Sequence, residues 1–331
     1  MRVLVTGAGG FIGSHLTEAL LAEGHDVRAL VRYSGSGSIG WLERIAKPGA
    51  GGLEIVFGDV RDAALMRKTA AGCAVIYHLA ALIAIPYSYQ APASYVATNV
   101  EGTLNLLQAA LDCGVERFIQ TSTSEVYGSA QFVPISEIHP LSAQSPYAAS
   151  KTGADQLALS FHRSFGLPVS VIRPFNTFGP RQSARAIVPA IISQLLDGAR
   201  TIKLGALHPT RDLTFVKDTA SAFPSIARAS GAIGEVINIG SGVEIAIGDL
   251  FAEIKDILGV TAEVELDVAR LRPEASEVDR LCADVAKAHR LLDWKPAYLG
   301  APGRRRGLAE TVEWFRNERD RGTPRTAGYQ V

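Results

Sequence analysis

Tyr147 and Lys151 stand four residues apart at the start of a stretch whose apolar residues recur at helical spacing. Side chains four apart project from the same face of a helix, so the phenol and the ammonium group would be neighbours. An adjacent ammonium lowers the pKa of a phenol because it favours the phenolate. The pair therefore predicts a base for an alcohol proton, although a lone Tyr-x-x-x-Lys is also common as a surface pair.

Hydroxyl groups and a carboxylate lie upstream of this pair, in the run Thr121–Glu125 at the end of a predicted strand. A hydroxyl beside the phenolate would orient a substrate alcohol, and a carboxylate can move a second proton. The alternative is that these side chains only cap a helix or bond to a loop. Beside the Tyr-Lys pair, the run predicts three further catalytic residues, Thr123, Ser124 and Glu125.

A glycine-rich loop, Gly7-Ala8-Gly9-Gly10-Phe11-Ile12-Gly13, follows the first predicted strand directly and opens an amphipathic helix. Glycine here permits a tight turn and lets a diphosphate approach backbone N–H groups at the positive end of the helix. The loop predicts a dinucleotide cofactor, NAD or NADP, whose nicotinamide ribose Lys151 would hold. The loop residues expected to contact it are Gly7, Gly10, Phe11, Ile12 and Gly13.

The second predicted strand, Val27–Val31, ends without the Asp or Glu that would bind the 2′-hydroxyl of NAD. Arg32 and Ser34 follow it, and a guanidinium matches the geometry of a 2′-phosphate, so NADP is favoured over NAD. A solvated surface arginine is the alternative. After the third strand, Asp59 and Val60 are expected at the adenine, where Asp59 would accept a hydrogen bond from the amino group; otherwise Asp59 caps the next helix.

Strands alternate with helices through the first two thirds of the chain. Each parallel connection requires a crossover, so this pattern predicts an α/β fold, a doubly wound parallel sheet of the Rossmann type covered on both faces. The predicted strands are Val3–Thr6, Val27–Val31, Glu54–Phe57, Val75–Leu79, Arg117–Thr121 and Val169–Arg173. The predicted helices are Ser14–Glu23, Tyr95–Cys113 and Ala148–Phe165.

After Pro174 the pattern loosens, which favours a smaller C-terminal cap interleaved with the sheet over an independent domain. We expect a dinucleotide-binding domain over residues 1–175, with segments near 213–240 returning to it, and a substrate-binding cap over residues 176–331. In this second part, helices are predicted near Ala186–Leu196 and Ile247–Leu258, strands near Ile202–Leu204 and Val236–Ile239, and a basic loop over residues 270–279.

Charge and composition exclude several classes of partner. The 33 basic residues balance 33 acidic ones, so no overall field would attract nucleic acid or an anionic membrane. The chain opens on an apolar strand rather than a signal peptide, and its longest uncharged apolar stretch is too short to span a bilayer. Cys73, Cys113 and Cys282 have no paired spacing, which favours reduced thiols over disulfides or metal ligands. We expect a cytoplasmic enzyme without a metal site.

Together these motifs resemble the nucleotide-sugar epimerase/dehydratase family of extended short-chain dehydrogenases/reductases, over essentially the whole chain. The motifs are Gly7-x-x-Gly10-x-x-Gly13, His78-Leu79-Ala80-Ala81, Asn99, Thr123–Gly128, Tyr147-x-x-x-Lys151 and Arg173-Pro174-Phe175-Asn176. The resemblance implies a tightly bound, recycled cofactor that is also contacted by Leu79, Ala80, Ala81 and Asn99. The candidates for holding a substrate diphosphate are Asn176, Arg181, Arg211 and Arg272. The resemblance also implies a homodimer in which the helices Tyr95–Cys113 and Ala148–Phe165 of both protomers form a four-helix interface.

The triplet Thr123-Ser124-Glu125 is similar to that of GDP-mannose 4,6-dehydratases, whereas dTDP-glucose 4,6-dehydratases carry Asp before the Glu. The resemblance implies that Tyr147 is the base at the C4 hydroxyl and that Glu125 removes the C5 proton as the C6 hydroxyl departs. Hydride then returns to C6 and gives a 4-keto-6-deoxy sugar. Because Ser124 replaces the Asp that protonates the leaving group, either Glu125 handles both protons or Ser124 relays one.

The stretches 209–218 and 270–277 most resemble the dehydratases of the legionaminic-acid pathway, which act on GDP-N-acetylglucosamine. That sugar nucleotide, or a related one, is therefore the expected substrate. Glu274 or Glu277 would accept hydrogen bonds from the guanine N–H groups.

Three alternatives compete with a dehydratase. A UDP-glucuronate decarboxylase is disfavoured because Ala286 stands where members of that group carry an arginine for the sugar carboxylate. A C4 epimerase would have no use for the carboxylate of Glu125. A catalytically silent dinucleotide sensor would be expected to lose Tyr147 or Lys151, and both are present.

Overall fold

The computed structural model describes residues 1–45, 51–271 and 273–320. The strands are β1 (Arg2–Thr6), β2 (Asp26–Val31), β3 (Leu53–Phe57), β4 (Val75–His78), β5 (Arg117–Thr121), β6 (Val169–Pro174), β7 (Asn176–Phe178), β8 (Thr201–Leu204), β9 (Thr210–Phe215), β10 (Val236–Ile239), β11 (Glu244–Ala246), β12 (Glu263–Leu266) and β13 (Arg280–Leu281). The helices are α1 (Phe11–Ala22), α2 (Ala63–Ala70), α3 (Ile85–Gln90), α4 (Pro92–Tyr95), α5 (Gly102–Asp112), α6 (Pro146–Phe165), α7 (Ile187–Leu196), α8 (Val216–Arg228), α9 (Ile247–Leu258), α10 (Ala286–Leu292) and α11 (Gly300–Asp320). Short 3-10 helices cover Gly40–Arg44, Ser124–Tyr127, Ser230–Ala232, Val268–Arg270 and Glu274–Ser276.

Seven parallel strands form the central sheet in the spatial order β10-β6-β5-β4-β1-β2-β3. Val3 of β1 pairs with Val27 of β2 on one side and with Val75 of β4 on the other. The strand order reverses between β1 and β4, and ligands of such sheets bind at the carboxyl ends of the strands beside this reversal. The predicted doubly wound α/β fold is confirmed.

Helices cover both faces of this sheet, which explains the continuous apolar runs of its strands. On one face α1, α8 and α10 pack into a core that contains Leu20 and Phe223. On the other face α2, α5 and α6 pack into a second core that contains Leu106 and Phe161. Sheet and helices therefore form three layers that fix the strand ends.

A third core lies in the C-terminal part, where α7, α9 and α11 pack against β8 and β9. Within it β9 pairs with β7, β11 and β13 in a second, small sheet. The chain also crosses back to the first part, because β10 lies beside β6 with Val236 opposite Val171, and α8 packs against α1.

The helix predicted over Tyr95–Cys113 is confirmed in its extent, because α4, a π-helical turn over Val96–Glu101 and α5 follow one another without a break. The π turn was not predicted. The turn contains Asn99, whose side chain hydrogen-bonds to the backbone of Leu82 and to the hydroxyl of Ser150. Single π turns of this kind commonly occur at functional positions.

Within the described ranges, no helix has both the length and the apolar character needed to cross a membrane. The three cysteines are free thiols, two of them buried and Cys113 partly exposed.

Candidate active site

The predicted pair Tyr147 and Lys151 lies in the first turns of α6. Ser145 caps this helix by accepting a hydrogen bond from the N–H of Ala148 at 3.1 Å, and Pro146 occupies its first position. The side chains are 8% and 4% exposed, respectively. The ring of Tyr95 packs edge-on against Tyr147 with centroids 6.3 Å apart, so the phenol is held in one orientation.

Burial shifts both groups toward their neutral forms. It raises the pKa of the Tyr147 phenol well above its usual range, and the Thr123 hydroxyl opposes this rise. Burial also lowers the pKa of Lys151 from 10.5 to about 8, while the charge of Asp155 opposes that change. Within the described residues the Lys151 ammonium makes no ion pair or hydrogen bond, so it is available to a ligand.

The hydroxyl-carboxylate run lies where β5 ends, directly beside Tyr147. Thr123 caps the 3-10 helix by accepting from the N–H of Glu125 at 3.3 Å, and the same hydroxyl lowers the pKa of Tyr147, so the capping interpretation applies to a residue that also acts on the phenol. Ser124 is 3% exposed. Glu125 is partly exposed, and its negative charge raises the pKa of Tyr147. The structure therefore brings the hydroxyl, the phenol and the carboxylate into one site.

The glycine loop turns from β1 into α1. Gly7 has φ +68°, and a Cβ there would lie 2.9 Å from the backbone N of Ala80; a Cβ on Gly13 would lie 2.2 Å from the carbonyl oxygen of Gly7. Neither position admits a side chain. Gly10 caps α1 without any side-chain hydrogen bond, and the first turn of α1 has no acidic residue. The helix N-terminus can therefore accept the phosphates of a dinucleotide.

A hydrogen-bond chain that the sequence did not reveal holds the ends of β1 and β4 together. Thr6 Oγ1 accepts from the N–H groups of Leu79 and Ala80 at 3.1 and 3.0 Å, and it lies 2.8 Å from His78 Nδ1. His78 Nε2 lies 3.0 Å from Thr103 Oγ1, which donates to the carbonyl of Asn99. Burial lowers the pKa of His78 to about 3, so the imidazole is neutral and donates from Nε2. These hydrogen bonds fix Leu79–Ala81 against the glycine loop.

Asn99, expected at the cofactor, is 1% exposed, and its amide is used by protein groups. Its Oδ1 accepts from the N–H of Leu82 at 2.8 Å, and its Nδ2 donates to the Leu82 carbonyl and to Ser150 Oγ. Ser150 in turn donates to the carbonyl of Tyr147 at 2.7 Å. Asn99 thus joins the loop after β4 to the turn of α6 that carries Tyr147 and Lys151.

The residues expected at the adenosine end differ in exposure. Arg32 is exposed, and the Ser34 hydroxyl lies 3.1 Å from that of Ser36. Asp59 accepts two side-chain bonds from Arg61, which hold the pKa of this carboxyl below its usual range. The alternative that Asp59 caps the next helix is wrong, because Asp62 caps α2 through the N–H of Leu65.

Two packing contacts around this adenosine region did not emerge from the sequence pattern. Val60, predicted there, is 5% exposed and packs under α5, where a Cβ on Gly102 would meet it at 2.5 Å. The 3-10 helix Gly40–Arg44 lies on the glycine loop: the N–H of Trp41 donates to Gly9 at 3.0 Å, and a Cβ on Gly40 would lie 2.5 Å from the Gly9 carbonyl oxygen.

The substrate candidates separate into two groups. Asn176 pairs with Leu213 across β7 and β9, and Arg211 lies two residues earlier on the same face of β9. Asn176 Oδ1 is buried and has no hydrogen-bond partner in the described part of the chain. Arg211 is 7% exposed and donates to Glu277 at 3.2 Å.

Arg181 instead contacts α1, where it donates to Glu18 at 2.9 Å and approaches the hydroxyl of Ser14 at 3.4 Å. The predicted Arg272 and the side chain of Glu274 lie outside the described residues. Glu277, considered for the guanine, accepts from Arg211 and from the N–H of Val278.

The site fits a nicotinamide dinucleotide on grounds of this structure alone. The N-terminus of α1 has no side-chain hydrogen bond at its cap residue, and the buried ammonium of Lys151 has no protein partner within the described ranges. Both groups match what a diphosphate and a ribose require. Beside them, Tyr147, Thr123 and Glu125 can remove one proton from an alcohol and another from carbon.

Comparison with known proteins identifies the family. The family of GDP-mannose 4,6 dehydratases matches residues 4–301. A dTDP-glucose 4,6-dehydratase from Streptomyces antibioticus is 37% identical over 96% of this chain and 93% of its own length. A UDP-glucose 4-epimerase from Mycolicibacterium smegmatis is also 37% identical, over 96% of this chain and 99% of its own length.

A solved structure agrees with these relatives. The dTDP-glucose 4,6-dehydratase DesIV from Streptomyces venezuelae, with NAD bound, superposes with a TM-score of 0.86 at 34% identity, covering 97% of this chain and 98% of that one. The expected family and an NAD(P)-dependent enzyme are thereby confirmed. The chain belongs to the nucleotide-sugar epimerase/dehydratase family of extended short-chain dehydrogenases/reductases.

Proposed function

We propose that this enzyme is a nucleotide-sugar 4,6-dehydratase, and the observation that carries the proposal is Glu125. Its carboxylate lies close enough to Tyr147 to raise the pKa of the phenol. A C4 epimerase only removes and returns hydride and needs no such acid. A dehydratase needs a base for the C5 proton, which becomes acidic once C4 is a ketone.

The proposed reaction begins at the C4 hydroxyl of the sugar. Thr123, whose hydroxyl lowers the pKa of Tyr147, would orient the alcohol, and Tyr147 takes its proton. When bound, NAD(P)+ accepts the hydride from C4 and later returns it to C6. Lys151 holds the ribose and, as an ammonium, favours the phenolate.

Elimination follows at C5 and C6. Glu125 removes the C5 proton, the C5–H electron pair forms the C5–C6 double bond, and the C6 hydroxyl leaves as water. Hydride then enters C6 and a proton enters C5, so the product is a 4-keto-6-deoxy sugar nucleotide and the cofactor is restored. The proton on the leaving hydroxyl comes from Glu125 directly or through Ser124, which is buried beside it.

The proposed substrate is GDP-N-acetylglucosamine or a related sugar nucleotide. Asn176 and Arg211, on one face of the small sheet, would bind the diphosphate, since the amide and the guanidinium both donate hydrogen bonds. Arg211 now pairs with Glu277, so an entering diphosphate would replace a carboxylate. Arg181 and Arg272 complete the proposed set, although Arg181 contacts Glu18 here.

The decisive experiment incubates the purified protein with GDP-, UDP-, dTDP- and CDP-sugars, GDP-N-acetylglucosamine among them, and follows product mass. A dehydratase removes one water without consuming added cofactor. A decarboxylase would release carbon dioxide, and an epimerase would leave the mass unchanged. Failure to lose water from any of these sugars, with Tyr147→Phe as the inactive control, contradicts the proposal.

We propose NADP as the preferred cofactor, although the similar DesIV structure contains NAD. Arg32 is exposed directly after β2, and no acidic residue follows that strand directly. The positive charge of Arg32 also helps to lower the pKa of the Asp59 carboxyl. A 2′-phosphate there would meet a cation rather than a carboxylate. Mass spectrometry of the cofactor released by denaturation, for the parent and for Arg32→Asp, tests this preference.

The proposed homodimer uses exposed apolar residues of the helical layer. Leu104 on α5 and Phe165 at the end of α6 are 41% and 58% exposed. Ala154 and Leu159 are buried in the protomer, and Leu159 packs in the core under its own sheet, so they would not form the contact. Light scattering of the parent and of Leu104→Glu tests the assembly: a dimer that becomes monomeric in the variant supports it.

A further inference from the structure

Directly behind the Tyr147–Lys151 turn of α6, called the catalytic turn below, lies a buried ion pair that the reaction above does not use. Asp155 is 0% exposed and stands one turn after Lys151 on the same face of α6. Its Oδ2 accepts from Arg173 Nη2 at 3.0 Å and from Ser122 Oγ at 2.5 Å. Arg173 is on β6, so the pair joins α6 to the central sheet.

The two oxygens of this carboxylate are used differently. All the hydrogen bonds described for Asp155 end on Oδ2, whereas Oδ1 is buried and has no hydrogen-bond partner in the described part of the chain. Arg173 also has a second partner, because its Nη1 donates to the Tyr127 hydroxyl at 2.9 Å and its guanidinium lies over the Tyr127 ring at 4.9 Å. The guanidinium is therefore shared between the Tyr127 phenol and one oxygen of the Asp155 carboxylate.

The catalytic turn needs such a charge. Lys151 is buried without a protein partner among the described residues, and burial favours its neutral form. Neutral Lys151 would neither favour the phenolate of Tyr147 nor hold a ribose as a cation.

Other groups that face this turn do not supply the charge. His78 on β4 is neutral, Tyr95 on α4 is an uncharged phenol, and Arg173 on β6 has the wrong sign. Glu125 lies on the substrate side, where its charge acts on Tyr147.

From this geometry we infer that Asp155 is a positioning residue that keeps Lys151 protonated, while Arg173 limits how strongly the same carboxylate opposes ionisation of Tyr147. The inference rests on the proposed function, because it assigns a catalytic use to Lys151. It adds that the strength of the Asp155–Arg173 pair sets the pH range in which the Tyr147–Lys151 pair works.

The test reads the ionisation of Lys151 without substrate or turnover. In the full-length protein labelled with 13C at the lysine side chains, the Lys151 signal is the one missing from Lys151→Met, and its midpoint is measured by NMR against pH. Asp155→Asn keeps the size and a hydrogen-bond acceptor but removes the charge, so the midpoint should fall by about one pH unit. Ser122→Ala is the matched control: it removes a donor from the same carboxylate and keeps the charge, so the midpoint should not fall.

A second variant reverses the sign. Arg173→Gln leaves the carboxylate without its cation, so the Lys151 midpoint should rise. If Asp155→Asn does not fold, this rise is the measurement that supports the inference. An unchanged midpoint in either folded variant, or an equal fall in Ser122→Ala, overturns it.

Turnover separates this inference from the proposed function. With an active substrate, the alkaline limb of the pH profile should move to lower pH in Asp155→Asn. Shifted midpoints in a protein that dehydrates no sugar nucleotide would leave the inference intact and contradict the proposed function. Dehydration of a sugar nucleotide with unshifted Lys151 midpoints would support the proposed function and contradict the inference about Asp155.

Discussion

The hydroxyl of Thr123, two residues after β5, lowers the pKa of the Tyr147 phenol in the first turn of α6 and so opposes the effect of burial. The same hydroxyl accepts the N–H of Glu125 at 3.3 Å and so begins the 3-10 helix that presents the carboxylate. One side chain therefore contacts the segment of one proposed base and acts on the pKa of the other. In the proposed reaction this arrangement would let a hydroxyl, a carboxylate and a phenol from separate elements act on adjacent carbons of one sugar.

Replacement of Tyr147 by Phe removes the proposed base and leaves the ring packing against Tyr95. We expect turnover to fall by about 10²–10⁴-fold, the usual contribution of a general base. Cofactor content should be unchanged, because Lys151 and the glycine loop remain. Turnover assays and the absorbance of released cofactor check both points, and unchanged turnover would refute the assignment.

Replacement of Glu125 by Gln separates oxidation from elimination. Hydride removal from C4 needs only Tyr147, so reduced cofactor should accumulate while loss of water falls by about 10²–10⁴-fold. Solvent deuterium should no longer enter C5. Nicotinamide absorbance and product mass measure the two steps, and Glu116→Gln, at an exposed position, serves as control. Normal dehydration by Glu125→Gln would exclude its role.

Ser124→Ala decides how the leaving hydroxyl obtains its proton. If Ser124 relays it, the variant should behave like Glu125→Gln, with slow loss of water and accumulation of reduced cofactor. If Glu125 acts directly, the variant should dehydrate at nearly the parent rate. The same two measurements distinguish these outcomes.

Local patterns in the sequence predicted the elements that carry most of the proposed site. β5, β10 and α9 were predicted with the boundaries that the structure has, because the two strands are short apolar runs and the apolar residues of α9 recur at helical spacing. β9 was missed because Arg211 and Asp212 interrupt its apolar pattern. Asp212 is nevertheless buried, since it accepts the N–H groups of Ser241, Gly242 and Ala283 from distant segments.

Contacts between distant segments explain the other misses. α11 was not predicted, because Arg304 and Arg305 belong to a basic run that is typical of an exposed segment. In the structure these two residues pair with Glu253 and Asp256 of α9. The spacing of Tyr147 and Lys151 was visible because both lie in one helix. The Asp155–Arg173 pair depends on how α6 packs on β6, which no local pattern records.

Acid should destabilise the fold through His78. Its pKa is about 3 in the folded protein and 6.5 when unfolded, so the unfolded chain binds more protons between these values. The contribution of His78 to stability is therefore present above pH 6.5 and is lost as the pH falls toward 3, at up to about 1.4 kcal/mol per pH unit. Urea unfolding at several pH values should give a weaker pH dependence for His78→Gln than for the parent.

His208 provides the control for this measurement. Its side chain is 74% exposed, so His208→Gln should leave the pH dependence unchanged. His15, whose pKa is lowered to about 4 by burial, contributes in the same direction and will leave part of the dependence in the His78 variant. Equal slopes for the parent and His78→Gln would contradict the assigned role of the buried imidazole.

Gly40 should control cofactor affinity although it lies outside the glycine loop. It has φ +63°, and a Cβ there would lie 2.5 Å from the carbonyl oxygen of Gly9. Gly37 has a similar φ of +67°, but a Cβ on Gly37 would have no atom within 4 Å, so Gly37→Ala introduces the same backbone strain without the clash. Gly40→Ala must displace the loop at Gly9 and should weaken cofactor binding by about tenfold or more, which corresponds to about 1.4 kcal/mol. Fluorescence titration with NADPH and NADH compares the two variants; because the strain is matched, equal affinities would show that the Gly9–Gly40 contact does not shape the cofactor site.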